Sequence, residues 1–237
     1  MVDDAMHWFI VRRADVELVD DWYMEAMSAT GSVTIAANDV LVADGWHCDI
    51  NQLVTAHDYP GAGIHEELAY RLPFTALLMV SLSPCLGGLD RAVELAREKL
   101  PRSMPLGIPR IERPAARIRW AEAYEKARVL RLVRDGMTEE AIRSAAAGEA
   151  PTPKSEASAQ LHLVYFVHGI KDALRQLIDG LGSSTYRTND PIFRITQDVS
   201  VLATHAQGPD YDVVMDRHAR GLLGLGTEHG DPRTRLT

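Results

Sequence analysis

The pattern of apolar positions changes character near residue 65. Before this point the apolar residues form short runs rich in β-branched side chains, at positions 9–11, 16–19, 33–35 and 40–42. Such runs predict strands, and the turn-forming residues between them, such as Thr30-Gly31-Ser32, separate one strand from the next. Three or four short strands are too few for a closed barrel or sandwich. Residues 44–64, with several glycines and a proline, predict an irregular connection.

After residue 65 the apolar positions recur at helical spacing almost throughout. The pattern predicts helices over residues 68–98, 114–136, 155–181, 191–206 and 212–223, with a short additional helix capped by Thr138. The first of these is apolar on nearly every side, which is typical of a helix buried at the centre of a bundle. The sequence therefore predicts a mainly α protein. Residues 65–237 form a helical bundle, and residues 1–64 form a small, partial β element with a connecting loop.

Charge and cysteine content exclude several classes of protein. Among 237 residues there are 25 Lys and Arg against 33 Asp and Glu, a net charge of −8. This balance argues against binding to nucleic acids or to anionic membrane surfaces. The two cysteines, Cys48 and Cys85, exclude a disulfide scaffold. The acidic N-terminus lacks the positive region of a signal peptide, so we expect a cytoplasmic protein with reduced thiols.

The nine histidines show no spacing typical of a metal site. His162 and His168 are six residues apart and point to different faces of one helix, so we expect no metal. Glycine-rich nucleotide loops and the nucleophile elbow of hydrolases are also missing from the sequence. His205 lies near the end of a predicted helix, and its nearest acidic residue on the same face, Asp198, is about 10 Å away along the axis. Its pattern alone is that of a half-exposed structural histidine.

The polar residues 182–189 allow two interpretations. Two serines, a threonine and Arg187 precede the helix that begins at Pro191, and a helix N-terminus of this kind binds phosphate groups in many proteins. Asp190 at the cap position would repel such a phosphate. The alternative is an ordinary polar turn that ends in a good N-cap.

Three stretches together resemble the acyl-CoA dehydrogenase superfamily, and most closely its two-component, reduced-flavin-dependent monooxygenases. The first contains Trp22, Met27-Ser28-Ala29-Thr30-Gly31-Ser32 and Asn38-Asp39-Val40-Leu41-Val42, with Ala43 in place of the usual proline. The second is residues 73–97, similar to the first helix of the family's C-terminal bundle. The third runs from Ser183-Ser184 through Arg187, Asn189-Asp190-Pro191, Arg194 and Asp198-Val199 to His205, with Gln197 and Ser200 replacing a common arginine and histidine.

This resemblance implies a flavin-dependent monooxygenase acting on an aromatic or polyketide-type small molecule of secondary metabolism. Reduced FMN or FAD would come from a separate flavin reductase, and one atom of O₂ would be transferred to the substrate. Thr30, Gly31 and Ser32 would lie beside the flavin ring, and Ser183, Ser184 and Arg187 near its phosphate. His205 would act as the catalytic base that takes the phenolic proton.

The resemblance covers only the later part of the family's length, without the N-terminal helical domain and the first half of the β domain. An incomplete sheet leaves its edges and an apolar face uncovered. We therefore expect a homo-oligomer, formed through helices 68–98 and 155–181, or a partner polypeptide that covers the open sheet edge. Two other functions stay open: a flavin-independent cyclase, dehydratase or isomerase, and a non-catalytic partner subunit of a split or full-length oxygenase.

Overall fold

The computed structural model describes residues 7–50, 64–65, 67–204 and 211–223. Its β element consists of two separate antiparallel pairs, built from β1 (His7–Phe9), β2 (Glu17–Val19), β3 (Thr34–Ala36) and β4 (His47–Asp49). In the outer pair β1 lies against β4, and in the inner pair β2 lies against β3. The described strands therefore form two ribbons and no continuous sheet.

The inner ribbon is held together by a side-chain hydrogen bond as well as by the backbone hydrogen bonds between its strands. Asp21 follows β2, and its carboxylate accepts the backbone N–H of Thr34 at 3.0 Å, at the start of β3. Hydrogen bonding from Thr34 lowers the pKa of Asp21, because it stabilises the charged form. The ribbon therefore has a fixed register even though its strands are only three residues long.

Five α-helices follow in the described part of the chain. They are α1 (Phe74–Lys99), α2 (Pro114–Ala147), α3 (Pro153–Leu181), α4 (Pro191–Leu202) and α5 (Tyr211–Leu222). The prolines that begin α2, α3 and α4 lack only an N–H that the first turn leaves unpaired in any case. Asp190 caps α4 by accepting the N–H of Ile192 at 2.9 Å, as the sequence predicted. The mainly α fold with a small N-terminal β element is confirmed.

The core lies where α1 and α3 pack against each other and against α2 and α4. Its fully buried side chains include Leu86, Leu89, Leu130, Leu163, Phe166, Ile170, Leu174, Leu177, Ile178 and Ile192. The indole N–H of Trp120 on α2 donates to the Val93 carbonyl on α1 at 3.0 Å. Among the described helices α1 alone is long and apolar enough to cross a membrane, a test that a core bundle helix also passes. Its buried Leu82, Leu86 and Leu89 place it in the core of the bundle.

Three predicted element boundaries are wrong. Gly136 does not end a helix and Thr138 does not cap one, because α2 continues through both to Ala147. The Thr138 hydroxyl donates instead to the Arg134 carbonyl inside the helix, at 2.9 Å. The predicted helix over residues 68–98 is split into a 3₁₀ turn, Leu68–Arg71, and α1. Pro73 explains the split, because it holds the preceding residue in extended backbone.

The strand predictions also need correction. Residues 40–42 are apolar but form no strand, whereas β4 lies inside the stretch expected to be irregular. The sequence of β4, His47-Cys48-Asp49, has no β-branched residue, so its strand conformation depends on pairing with β1. The division of the chain into domains 1–64 and 65–237 stays a prediction.

Candidate active site

The turn that follows β2 is held in shape by the carbonyl of Met27. The indole N–H of Trp22 donates to this oxygen at 3.2 Å, and the Thr30 hydroxyl donates to it at 2.8 Å. Met27 and Gly31 both have positive φ angles, 54° and 58°, at the two ends of the 3₁₀ turn Ser28–Thr30. A left-handed residue at Gly31 suits glycine, since any side chain there would be strained. This sequence therefore forms a tight turn that displays the Thr30 and Ser32 hydroxyls side by side, 3.5 Å apart.

One carboxylate attaches this turn to the helical bundle. The backbone N–H of Met27 donates to Oδ1 of Asp198 on α4 at 2.6 Å, across 171 residues of sequence. Both partners are half-buried. A hydrogen bond to a charged acceptor is about twice as strong as one between neutral groups. Asp198 therefore positions the β element against the end of α4.

A cavity of about 200 Å³ lies at this junction. The β element contributes Trp22, Met27, Thr30 and Ser32, α1 contributes Leu78, Ser81 and Leu82, and α4 contributes Val201 and Leu202. One wall thus carries two neighbouring hydroxyls and the other is mostly aliphatic. This arrangement suits the polar edge and the apolar face of a planar heteroaromatic ring.

The predicted site residues fall into two groups that the described chain does not bring together. Thr30 and Ser32 line the cavity at the C-terminal end of α4, and Gly31 lies between them. Ser183, Ser184 and Arg187 lie before the N-terminal end of the same helix and are exposed. Since α4 has 12 residues, its two ends are separated by roughly 16 Å at 1.5 Å per residue.

The segment with the two serines and Arg187 is tied to the end of α1. Lys99 donates to the hydroxyl of the fully buried Thr185 at 2.9 Å and forms an ion pair with Asp190. Asp190 therefore has a cation beside it and also caps α4. On α3, the Gly180 carbonyl accepts a hydrogen bond from Arg110 at 3.2 Å. These contacts are those of a well-anchored polar turn, which was one of the two interpretations of this segment.

His205 lies outside the described residues, so its predicted role as a base stays a prediction. It follows Leu202, a residue of the cavity wall, by three positions.

Sequence reasoning missed two contributors to this site. Asp198 was matched to the family pattern, but its hydrogen bond to Met27 depends on the tertiary fold. The second contributor is Ser81 on α1, which is exposed and lines the cavity while its hydroxyl donates to the Leu77 carbonyl at 3.1 Å. The spacing of Leu78, Ser81 and Leu82 on one face of a helix was the signal available in the sequence.

Two further kinds of reactive group among the described residues, metal-binding clusters and thiols, add no chemistry to this junction. In the part of the chain that the structure describes, no three His, Cys, Asp or Glu side chains are grouped as metal ligands would be. Cys85 is buried in α1, and burial raises the pKa of its thiol to about 11. A thiol with this pKa stays protonated near neutral pH and is a poor nucleophile.

Comparison with known proteins identifies the family of this chain. Residues 86–208, more than half of the chain, match the family described as acyl-CoA dehydrogenase, C-terminal domain. The chain belongs to this acyl-CoA dehydrogenase family. The match begins within α1 and continues past α4, so the family's bundle includes the wall of the cavity that α4 provides.

Two curated relatives and one solved structure extend the similarity of this acyl-CoA dehydrogenase family member to the β element. The pigment production hydroxylase of Rhodococcus sp. (strain ATCC 21145) is 31% identical over 221 residues, which cover 92% of this chain and 56% of that protein. The oxygenase component of p-hydroxyphenylacetate 3-hydroxylase from Acinetobacter baumannii is 22% identical, covering 91% and 52%. XiaF from Streptomyces sp., solved in complex with FADH₂ and glycerol, superposes with a TM-score of 0.82 at 17% identity, covering 95% and 57%. The chain thus spans about half the length of the curated relatives it matches.

Proposed function

We propose that this chain forms the helical bundle and the adjoining β element of a reduced-flavin-dependent monooxygenase that hydroxylates an aromatic small molecule. The observation that carries the proposal is the cavity at which the Thr30 and Ser32 hydroxyls meet the end of α4. Its support from similarity is the hydroxylase that is 31% identical along 92% of the chain. The oxygenase component among the relatives supports dependence on a separate flavin reductase.

The residues of the cavity fit one edge of a flavin ring and not the whole of it. Ligand sites for molecules of this size usually enclose about 300–1,000 Å³, whereas this cavity measures about 200 Å³. Thr30 and Ser32 would hold the polar edge of the ring, and Leu82 and Leu202 would contact its apolar part. When bound, the reduced flavin supplies two electrons and activates O₂. We place the remaining contacts in polypeptide that lies beyond the described residues.

Within the site, we propose that His205 takes the proton of a phenolic hydroxyl. A histidine base has a pKa near neutrality, which suits proton transfer at physiological pH. Removing the proton makes the aromatic ring a better nucleophile toward an activated oxygen. Asp198 has a different role, because its carboxylate holds the Met27 turn and with it the Thr30 and Ser32 hydroxyls.

We propose that further polypeptide covers the β element, either another copy of this chain or a partner. The β element exposes large apolar side chains, including Trp8, Phe9, Ile35, Leu41 and Trp46, each at least 44% exposed. Apolar surface of this extent is typical of an interface. Size-exclusion chromatography with light scattering checks this proposal, and a monomer in the absence of any partner would reject the homo-oligomer.

Anaerobic titration with reduced FMN and reduced FAD tests the proposed function. We expect saturable binding to the wild-type protein and weaker binding to a Thr30→Val/Ser32→Ala double variant, which loses both hydroxyls. His205→Gln is expected to bind flavin normally but to lose about 10²-fold or more in hydroxylation rate. His218→Gln on α5 is the matched control, since α5 contributes no residue to the described lining of the cavity.

The same titration distinguishes the alternatives. If neither reduced flavin binds at tens of micromolar, the oxygenase proposal fails for this polypeptide alone. Substrate turnover without flavin would then favour a cyclase, dehydratase or isomerase. A stable complex with a larger oxygenase, without activity of its own, would favour the partner-subunit function.

A further inference from the structure

A second and larger cavity, of about 710 Å³, opens between α1, α2 and α3. It shares no lining residue with the cavity at the β element. Its volume lies within the range of about 300–1,000 Å³ that is usual for small-molecule sites. Most of its wall is apolar, with Met79 from α1, Val133 and Met137 from α2, and Ala159 from α3.

The side chain of Thr75 marks one end of this cavity. Thr75 is only 6% exposed and lines the cavity at the first turn of α1. Within the described residues its hydroxyl has no hydrogen-bond partner. Buried hydroxyls in native proteins are nearly always paired, so an unpaired one indicates that a group is missing from the site. A molecule in the cavity would supply that group.

The start of α1 gives the same end of the cavity a preference for an oxygen acceptor. Pro73 occupies the cap position and offers no side-chain acceptor to the first amide groups of the helix. Such a helix start favours electron-rich or negatively charged atoms nearby. Arg71, which also lines this end, adds a positive charge. Three acidic residues line other parts of the cavity: Glu140 and Glu149 lie on the α2 side, where Arg143 pairs with both, and Glu156 lies in the first turn of α3.

We propose that this cavity binds an apolar small molecule that carries a carbonyl or carboxylate oxygen at one end. The oxygen accepts a hydrogen bond from Thr75, and the apolar body lies along Met79, Val133 and Met137. This inference does not rest on the proposed monooxygenase function, because none of these residues belongs to the cavity at the β element.

Fluorescence titration with the solvatochromic naphthyl ketone Prodan tests the proposal. Prodan has an apolar body with one carbonyl oxygen, and its emission shifts to the blue in apolar surroundings. We expect saturable binding to the wild-type protein and an affinity about five- to tenfold lower for Thr75→Val, which keeps the shape of the side chain but loses its hydroxyl. Thr138→Val is the matched control, because the Thr138 hydroxyl lines the same cavity but already donates to the Arg134 carbonyl. It should change the affinity less than twofold.

Two filling variants locate the probe. Ala159→Trp places a large side chain in the α3 wall of this cavity and should abolish binding, while Ser81→Trp fills the smaller cavity and should leave binding intact. Circular dichroism confirms that each variant is folded. Absence of saturable binding, equal affinities of Thr75→Val and Thr138→Val, or loss of binding in Ser81→Trp alone would each overturn the proposal. If the protein is an oligomer that binds Prodan only after it dissociates, a second copy of the chain occupies the cavity. This result would also overturn the proposal.

Discussion

Replacing Asp198 by alanine tests whether one carboxylate attaches the β element to the bundle. The change removes the acceptor of the Met27 N–H, whose hydrogen bond measures 2.6 Å. It leaves the other contacts of the turn in place, because Trp22 and Thr30 both donate to the Met27 carbonyl rather than to its N–H. The perturbation is therefore confined to the link between the two parts.

The expected loss follows from the chemistry of this single bond. A hydrogen bond to a charged group contributes about 1.5–3 kcal/mol, and a half-buried N–H left without an acceptor adds part of its desolvation cost. We expect Asp198→Ala to lower the free energy of unfolding by about 2 kcal/mol. Asp198→Asn keeps a neutral oxygen at the same place, so about 1 kcal/mol should be lost.

Urea denaturation followed by circular dichroism measures these differences, provided that the slopes of the transitions agree. Asp172→Ala is the matched control, because Asp172 is an exposed carboxylate on α3. Its effect should stay within about 0.5 kcal/mol, as for most surface substitutions. In a background in which the other three tryptophans are replaced by phenylalanine, the fluorescence of Trp22, which contacts the same turn, should report loosening of the junction in Asp198→Ala.

Two results would refute this reasoning. If Asp198→Ala and Asp172→Ala have equal stability, the 2.6 Å hydrogen bond does not join the β element to α4 in solution. If Asp198→Asn is destabilised more than Asp198→Ala, the acceptor oxygen is not what stabilises the junction.

Further predictions concern the bundle and the two cysteines. Lys99→Met should cost about 2–4 kcal/mol in urea denaturation, because it removes the cation beside a largely buried carboxylate and the donor to a buried hydroxyl. Gly180→Ala should cost about 1–3 kcal/mol, since a Cβ there would lie 2.7 Å from a side-chain carbon of α2, whereas Gly136→Ala meets nothing and should be neutral or stabilising by up to about 1 kcal/mol. At pH 8, Ellman's reagent should react with the partly exposed Cys48 and reach Cys85 only on unfolding. Because burial raises the pKa of Cys85 from 9.0 to about 11, the unfolded state loses this proton first, and stability should fall as pH rises through this interval. Fast labelling of both thiols would contradict the burial.

The helices were largely predictable from the sequence, because each carries its own signals. Apolar residues at helical spacing located α3, and a cap residue followed by proline located the start of α4. Where the local signals were weak, the prediction failed. Gly136 predicted the end of a helix, but α2 continues through it to Ala147. A single glycine costs only about 1 kcal/mol in a helix, and packing of the flanking turns outweighs this cost.

Strand β4 could not be predicted from its own residues. Its three polar and small side chains favour no strand, and its conformation is set by hydrogen bonds to β1, 40 residues earlier. Residues 40–42 show the converse, since they have strand-forming side chains but no partner strand in the described chain. Whether such a segment forms a strand depends on pairing with a segment distant in sequence, and the local residue pattern does not predict that pairing.

The candidate site also has parts that the sequence predicts and parts that it does not. The sequence by itself determined that Thr30, Gly31 and Ser32 form a tight turn and that Asp190 caps the helix that follows it. Only the tertiary structure decided that Asp198 joins this turn to α4, and that the two groups of predicted site residues lie at opposite ends of that helix. The reason is physical: turns and caps are fixed by contacts within a few residues, whereas a cavity exists only once segments distant in sequence have packed together.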